Sequence, residues 1–179
     1  MRPLALAACL LAASCGRYER FALPGPGAAE QGAYQWIAMD APVLGRGLAG
    51  EADSVDALNP SVVAGAGGLL NLYSGFDGKR WRTRMARSGD GLQWQGGQLV
   101  IEPDPRTWEG AAIAANGAAV ARGGQIHYWY QAGEPPRIGL ARLGAGSKWA
   151  KQGAPVLDFG PRGAWDERAL GDPYVIEDG

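Results

Sequence analysis

"SGDGLQW", residues Ser88–Trp94, sets a turn beside an aromatic residue, and whether that pairing recurs decides the fold. Asp90-Gly91 supplies the positive φ that a tight hairpin needs, and Trp94 opens the next segment. Trp36 stands 58 residues before Trp94, and Trp149 stands 55 residues after it. Eight residues before each Trp lie Ala28, Ala86 and Ala141. Soon after each comes an apolar triplet: Pro42-Val43-Leu44, Leu99-Val100-Ile101 and Pro155-Val156-Leu157. Sixteen residues beyond Val43, Val100 and Val156 stand Asn59, Asn116 and Asp172, which open the stretches "NPSVV", "NGAAV" and "DPYVI". These landmarks keep step, so the chain is an internal repeat with a period near 57 residues.

Within a period every segment has β character. "LLNLYSG" and "QIHYWYQAG" alternate and are rich in aromatic and aliphatic residues, and "RWRTRMARS" and "RIGLARL" alternate again. No helical period follows the leader. Four short strands in a unit of this length predict the antiparallel blade of a β-propeller, an all-β fold. The Trp at each outer hairpin is expected to pack between neighbouring blades, because an indole covers much apolar area at small entropic cost. Residues 28–179 hold about two complete blades, with a partial blade at each end. A ring needs roughly four to eight blades, so the stretch reads as a truncated propeller whose N-terminal strands would complete the last blade.

The chain has 17 basic and 18 acidic residues among 179, which lacks the basic excess of a nucleic-acid binder. Its 29 Gly and 12 Pro, with 46% hydrophobic residues, fit many short strands joined by tight turns. The leader "MRPLALAACLLAASC" has one basic residue followed by an apolar run too short to span a bilayer. Residues 1–14 read as a signal peptide of lipoprotein type, with Cys15 as the first mature and lipidated residue and 15–27 as a linker. Cleavage at Cys9 would leave a signal of only about eight residues. A plain secretory signal is the alternative. Both Cys lie in the leader, so a mature chain starting at Cys15 has no disulfide. A lipid anchor would hold the protein to a membrane of the bacterial cell envelope without a spanning helix.

"NPSVVAGAGGLLNLYSGF", "ARSGDGLQW" and "WDERALGDPYVI" resemble the five-bladed propeller superfamily of arabinanases, β-xylosidases, levansucrases and invertases. The resemblance spans residues 28–179 and rests on ordered repetition. It implies a funnel at the propeller axis in which a sugar meets carboxylates from several blades. Glycosidic cleavage requires one acid to protonate the leaving oxygen, and a second carboxylate to act as nucleophile or to activate water. The resemblance makes Asp172, in its Asp-Pro pair, the main catalytic candidate. The matching strand heads Asn59 and Asn116 cannot act as bases and are candidates for binding substrate.

Asp53, Glu109 and Asp166 stand in step nine or ten residues after the Val landmarks, and Glu167 adjoins Asp166. Glu109, in "TWEGA", and Asp166 are further catalytic candidates; Asp53 and Glu167 are candidates for the substrate site. The competing reading makes these acids turn and cap residues, since a structural device recurs where an active-site residue need not. Asp56 is a lesser candidate. His127 is the single His, so neither a metal site nor a cofactor is expected. Lys79, Arg80, Arg82, Arg84 and Arg87 form a basic stripe expected to face solvent. No phosphate-binding loop, esterase elbow or zincin motif occurs. The sequence therefore predicts a carbohydrate-active, lipid-anchored protein with a glycan partner, or a non-catalytic surface lipoprotein that binds a glycan or a protein.

Overall fold

Alternation of large and small residues organises eight strands, and they fall where the repeat places them. The computed structural model describes residues 37–144 and 148–177. Trp36, Ala28, the leader with Cys9 and Cys15, and the linker 15–27 lie outside the described residues. The body that follows belongs to one compact unit beginning at Met39. Its strands are β1 (Asp56–Gly65), β2 (Gly68–Phe76), β3 (Trp81–Ser88), β4 (Gln95–Ile101), β5 (Ile113–Arg122), β6 (Gln125–Ala132), β7 (Arg137–Leu143) and β8 (Trp149–Lys151). The described residues contain no helix.

β1–β4 and β5–β8 are two antiparallel four-stranded meanders, so the chain is all-β and built from propeller blades. The first three strands of the second blade begin 56 or 57 residues after their counterparts in the first. Arg122 and Gln125 are joined through Gly123-Gly124, both at positive φ, as a two-residue hairpin requires. In the opening stretch, Ser88 Oγ accepts the Gly91 N–H at 2.8 Å, and Asp90 Oδ1 accepts those of Leu92 and Gln93 at 2.8 Å each. The Gln93 amide first, then that of Leu92 and the Ser88 hydroxyl, hold the Asp90 carboxyl below its ordinary range. Trp94 Nε1 donates to Gly91 O at 2.9 Å, so this indole closes its own turn.

The blades meet where β3 runs briefly parallel to β5, pairing Trp81 with Ile113 and Arg82 with Ala114. Thr83 Oγ1 donates to Ala114 O at 2.9 Å, and the Ala119 N–H donates to Ser61 Oγ at 2.9 Å. Between the blades lies one core: Leu70, Leu72, Met85 and Ile101 from the first, and Ala114, Ile126, Tyr128, Tyr130 and Ala132 from the second. Tyr128 and Tyr130 stack in parallel at 6.3 Å, and Trp149 meets Tyr128 edge-on at the same distance. Trp149 thus has the expected position between blades, whereas Trp94 stays in its hairpin. The two tyrosines need glycines beneath them. A Cβ at Gly117 would stand 2.5 Å from the Tyr128 ring, and one at Gly139 would stand 2.6 Å from that of Tyr130. The landmark alanines fit the same account, since Ala86 and Ala141 are fully buried opposite Asn71 and Tyr128.

Lys79, Arg80 and Arg87 of the basic stripe face solvent as expected, but Arg82 and Arg84 depart from it. Arg84 is buried, with Nη1 3.0 Å from Asp53 Oδ1 and Nη2 3.0 Å from Glu51 Oε2, and Arg82 pairs with Asp77. Space for the long side chain comes from Gly75 and Gly97, where a Cβ would come within 3.2 Å and 2.7 Å of Arg84. Removing one partner of a buried pair strands the other charge away from water, at a cost of about 3–5 kcal/mol. Arg84→Met is therefore expected to lower stability by that amount. Arg106→Ala, which breaks the exposed pair with Asp104, should leave the urea midpoint in place. Urea unfolding of the two variants beside the parent checks both outcomes.

Candidate functional site

The three strand heads share one backbone conformation. Asn59, Asn116 and Asp172 have φ of 51°, 53° and 47°, the only described non-glycine residues at positive φ. Most L-residues pay about 1–2 kcal/mol there, whereas Asn and Asp tolerate it by local hydrogen bonding. The pairing of β1 with β2 slips between Leu58 and Ser61, and that of β5 with β6 slips between Ala115 and Ala118, so Asn59 and Asn116 sit in matching bulges. The recurring Asn/Asp is thus set first by the backbone.

A hydrogen bond that also repeats ties each later head to the blade before it. The Asn116 N–H donates to Ser74 Oγ at 2.9 Å, and the Asp172 N–H donates to Gln131 Oε1 at 3.1 Å. Ser74 and Gln131 are 57 residues apart on the second strands. Ser74 Oγ also donates to Asn116 Oδ1 at 3.0 Å, and Asn59 Nδ2 donates to the same oxygen at 2.9 Å. Gly171 leaves room for the third contact, since a Cβ there would stand 2.7 Å from Gln131 Oε1. The structure therefore joins Asn59 to Asn116 directly, and places Asp172 in the equivalent conformation one repeat on. Ser74 and Gln131 were not among the candidates, although their 57-residue spacing was visible in the sequence.

The in-step acids face elsewhere. Asp53 is buried and accepts the Tyr73 hydroxyl at 2.8 Å on Oδ2, beside Arg84. Glu109 is buried and accepts the Tyr130 hydroxyl at 2.5 Å and the Asp104 N–H at 2.9 Å, with Lys151 as its cation. Tyr73 and Tyr130 are again 57 residues apart. Burial first, and the hydrogen bond to the acid second, push both phenols well above the ordinary tyrosine range, so each remains a donor. Tyr73 and Ser74 are successive strand residues and point to opposite faces. Within a blade, the acid–tyrosine pair and the contact to the next head are therefore separated by the sheet.

Asp166 is half-buried in the third loop of this kind. Gly160 N–H bonds Asp166 O at 3.3 Å, as Gly47 N–H bonds Asp53 O at 3.3 Å. Glu167 accepts the Gly163 N–H and lies 3.6 Å from Arg168. Asp56 accepts its neighbour's N–H, from Ala57, at 2.9 Å. His127 is half-buried on β6 and stacks on Trp129 at 6.0 Å. Among the described residues no cluster of His, Cys, Asp or Glu suits a metal ion. A cavity of about 600 Å³ lies at the far end of β1 and β5 from Asn59 and Asn116. Leu70, Met85, Val100, Ile126 and Trp149 line it with Arg87, and no described carboxylate does, so it offers no acid–base chemistry.

Replacing Asn116 separates backbone strain from side-chain contact. Asn116→Ala is expected to cost about 2 kcal/mol, from the left-handed φ together with the lost bonds to Ser74 and Asn59. Asn116→Gly should cost about 1 kcal/mol, because only the bonds are lost. Equal costs in urea unfolding would refute the backbone explanation.

No family model matches the sequence, and no curated protein matches it. Solved structures do. One is a family 117 glycoside hydrolase from the marine bacterium Zobellia galactanivorans, 19% identical over 73% of this chain and 48% of that one, with a TM-score of 0.62. A second, from the GH130 family of mannoside phosphorylases, said to contain glycoside hydrolases that target β-1,2-mannosidic linkages in Candida mannan, is 22% identical over 64% and 34%, with a TM-score of 0.53. A third is a glycosyl hydrolase from Bacteroides ovatus, 23% identical over 64% and 35%, also at 0.53. The chain spans about half or less of the length of each of these structures. At these identities the likeness is one of fold: the blades of this chain are built as in glycoside hydrolases of propeller type.

Proposed function

We propose that the chain is an exported, lipid-anchored carbohydrate-active protein that hydrolyses furanose- or pentose-containing glycans by acid–base chemistry. The carrying observation is that Asn59, Asn116 and Asp172 hold one left-handed conformation at the same point of successive repeats, with Asn59 bonded to Asn116. Amides so placed suit sugar hydroxyls, and Asp172 brings one of the two carboxyls that cleavage requires. Asp166, in the loop leading to Asp172, is the nearer assisting acid along the chain, with Glu167 beside it. Glu109 would have to leave Tyr130 and Lys151 to reach a sugar. The leader and Cys15 support export and anchoring in the bacterial cell envelope. No cofactor is required by this chemistry.

A specific observation favours the alternative, a non-catalytic surface lipoprotein that binds a glycan or a protein. Two of the three heads are amides, and the in-step acids Asp53 and Glu109 are buried under tyrosines.

Reducing-sugar release from arabinan, xylan and fructan tests the two. The catalytic reading expects release by the chain and a loss of about a hundredfold or more with Asp172→Asn. Retarded migration in glycan-loaded gels without release selects the binding reading, and neither result overturns both. For the anchor, Cys15→Ser is expected to move the protein from the membrane pellet to the soluble fraction of a bacterial host. Unchanged partition would refute lipidation there.

A further inference from the structure

At the hairpin tips that join β1 to β2 and β5 to β6, the core between the blades stays open. The cavity of about 600 Å³ there has the size of a small-molecule pocket. Its floor is core: Leu70, Met85 and Ile126 are buried, and Val100, Leu143 and Trp149 pack beside them. The tips carry little side chain to cover it, with Ala64, Gly65 and Ala66 on one hairpin and Gly123 and Gly124 on the other. A Cβ at Gly65 would stand 2.6 Å from Leu70 Cδ1, so that glycine lets the floor form, whereas one at Gly123 or Gly124 would meet no atom within 4 Å. Every lining residue falls between Ala64 and Trp149, inside the two four-stranded meanders, so the cavity lies between two complete blades. Its polar lining has one character. Gln98 and Gln125 bring amides and Arg87 and Arg122 bring cations, with no described carboxylate among them. Arg122 Nε lies 3.3 Å from Glu177 Oε1, whereas Arg87, exposed at the end of β3, makes no ion pair among the described residues.

We propose that this cavity binds a small amphipathic anion, a compact apolar body bearing a single carboxylate or sulfonate. The body lies on Leu70, Met85 and Ile126, and the anionic group meets the Arg87 guanidinium, with the amides of Gln98 and Gln125 as further donors. A sugar fits the same space poorly, because several of its hydroxyls would face an apolar floor without partners. A polyanion would have to desolvate charges over that floor for one available cation. The site stands at the opposite end of the strands from Asn59 and Asn116, so the inference does not depend on hydrolysis.

The probes are two dyes with the same rings, anilinonaphthalene sulfonate and its uncharged analogue phenylnaphthylamine, each titrated into the full chain and followed by emission. Saturable binding of the sulfonate is expected, with the neutral dye weaker. Arg87→Gln should weaken the sulfonate about fivefold, the upper range for an exposed ion pair, and leave the neutral dye unchanged. Ala66→Trp, at an exposed tip position, puts an indole in the mouth and should weaken both dyes about tenfold or more. Both variants are expected to keep the parent's circular dichroism. Absence of saturable sulfonate binding overturns the proposal. So does an equal loss for both dyes in Arg87→Gln, because the arginine then reads no charge. Binding undisturbed by Ala66→Trp overturns it as well, because the dyes then sit on another surface.

Discussion

A carboxylate buried beneath a tyrosine is the contact on which each blade depends. Asp53 under Tyr73 and Glu109 under Tyr130 anchor the loops that enter β1 and β5, and those loops deliver Asn59 and Asn116 to their left-handed positions. A buried carboxylate is costly unless it is bonded and paired, and here each has both a phenol and a cation. The cations differ: Arg84 comes from β3 of the same blade, and Lys151 from β8. The phenol and acid repeat while the counter-charge does not, so the period constrains the loop anchor and leaves the source of the charge free.

The same arrangement decides what the second strand of a blade can do. Its odd and even positions face different neighbours: Tyr73 turns toward its own acid loop, while Ser74 reaches the next head at Asn116. Leu70 and Leu72 share Ser74's face and fill the core between the blades with Tyr128 and Tyr130. One strand thus holds its blade's loop and builds the contact to its neighbour. Chemistry, if the heads perform any, is kept apart from the structural acids by the sheet itself.

Much of this was legible in the chain. The Trp, Ala and Val landmarks and the strand heads keep one phase, and the strands begin where that phase puts them, because a repeat that must stack on itself cannot drift. The acid loops were legible too, and the reading of Asp53 and Glu109 as structural devices was available from repetition alone. What escaped was the pairing of side chains across strands. Tyr73 with Tyr130, and Ser74 with Gln131, keep the 57-residue phase, but they sit inside strands that alternation alone treats as interchangeable apolar runs. Arg84 escaped for a different reason. A run of arginines reads as solvated until Gly75 and Gly97 are seen to open a slot beside it.

The strand heads show why a repeated residue is an ambiguous guide to chemistry. Asn and Asp are the side chains that most readily accept positive φ, so a position that needs such a backbone selects them without reference to a substrate. Once there, they place an amide or a carboxyl at the same point of each repeat, and exchanging one for the other leaves the backbone undisturbed. A blade can therefore gain or lose an acid at its head without a change of fold. Asn116 and Asp172 share a left-handed backbone, and each donates its N–H to the second strand of the preceding blade, so the same position carries an amide in one repeat and a carboxyl in the next.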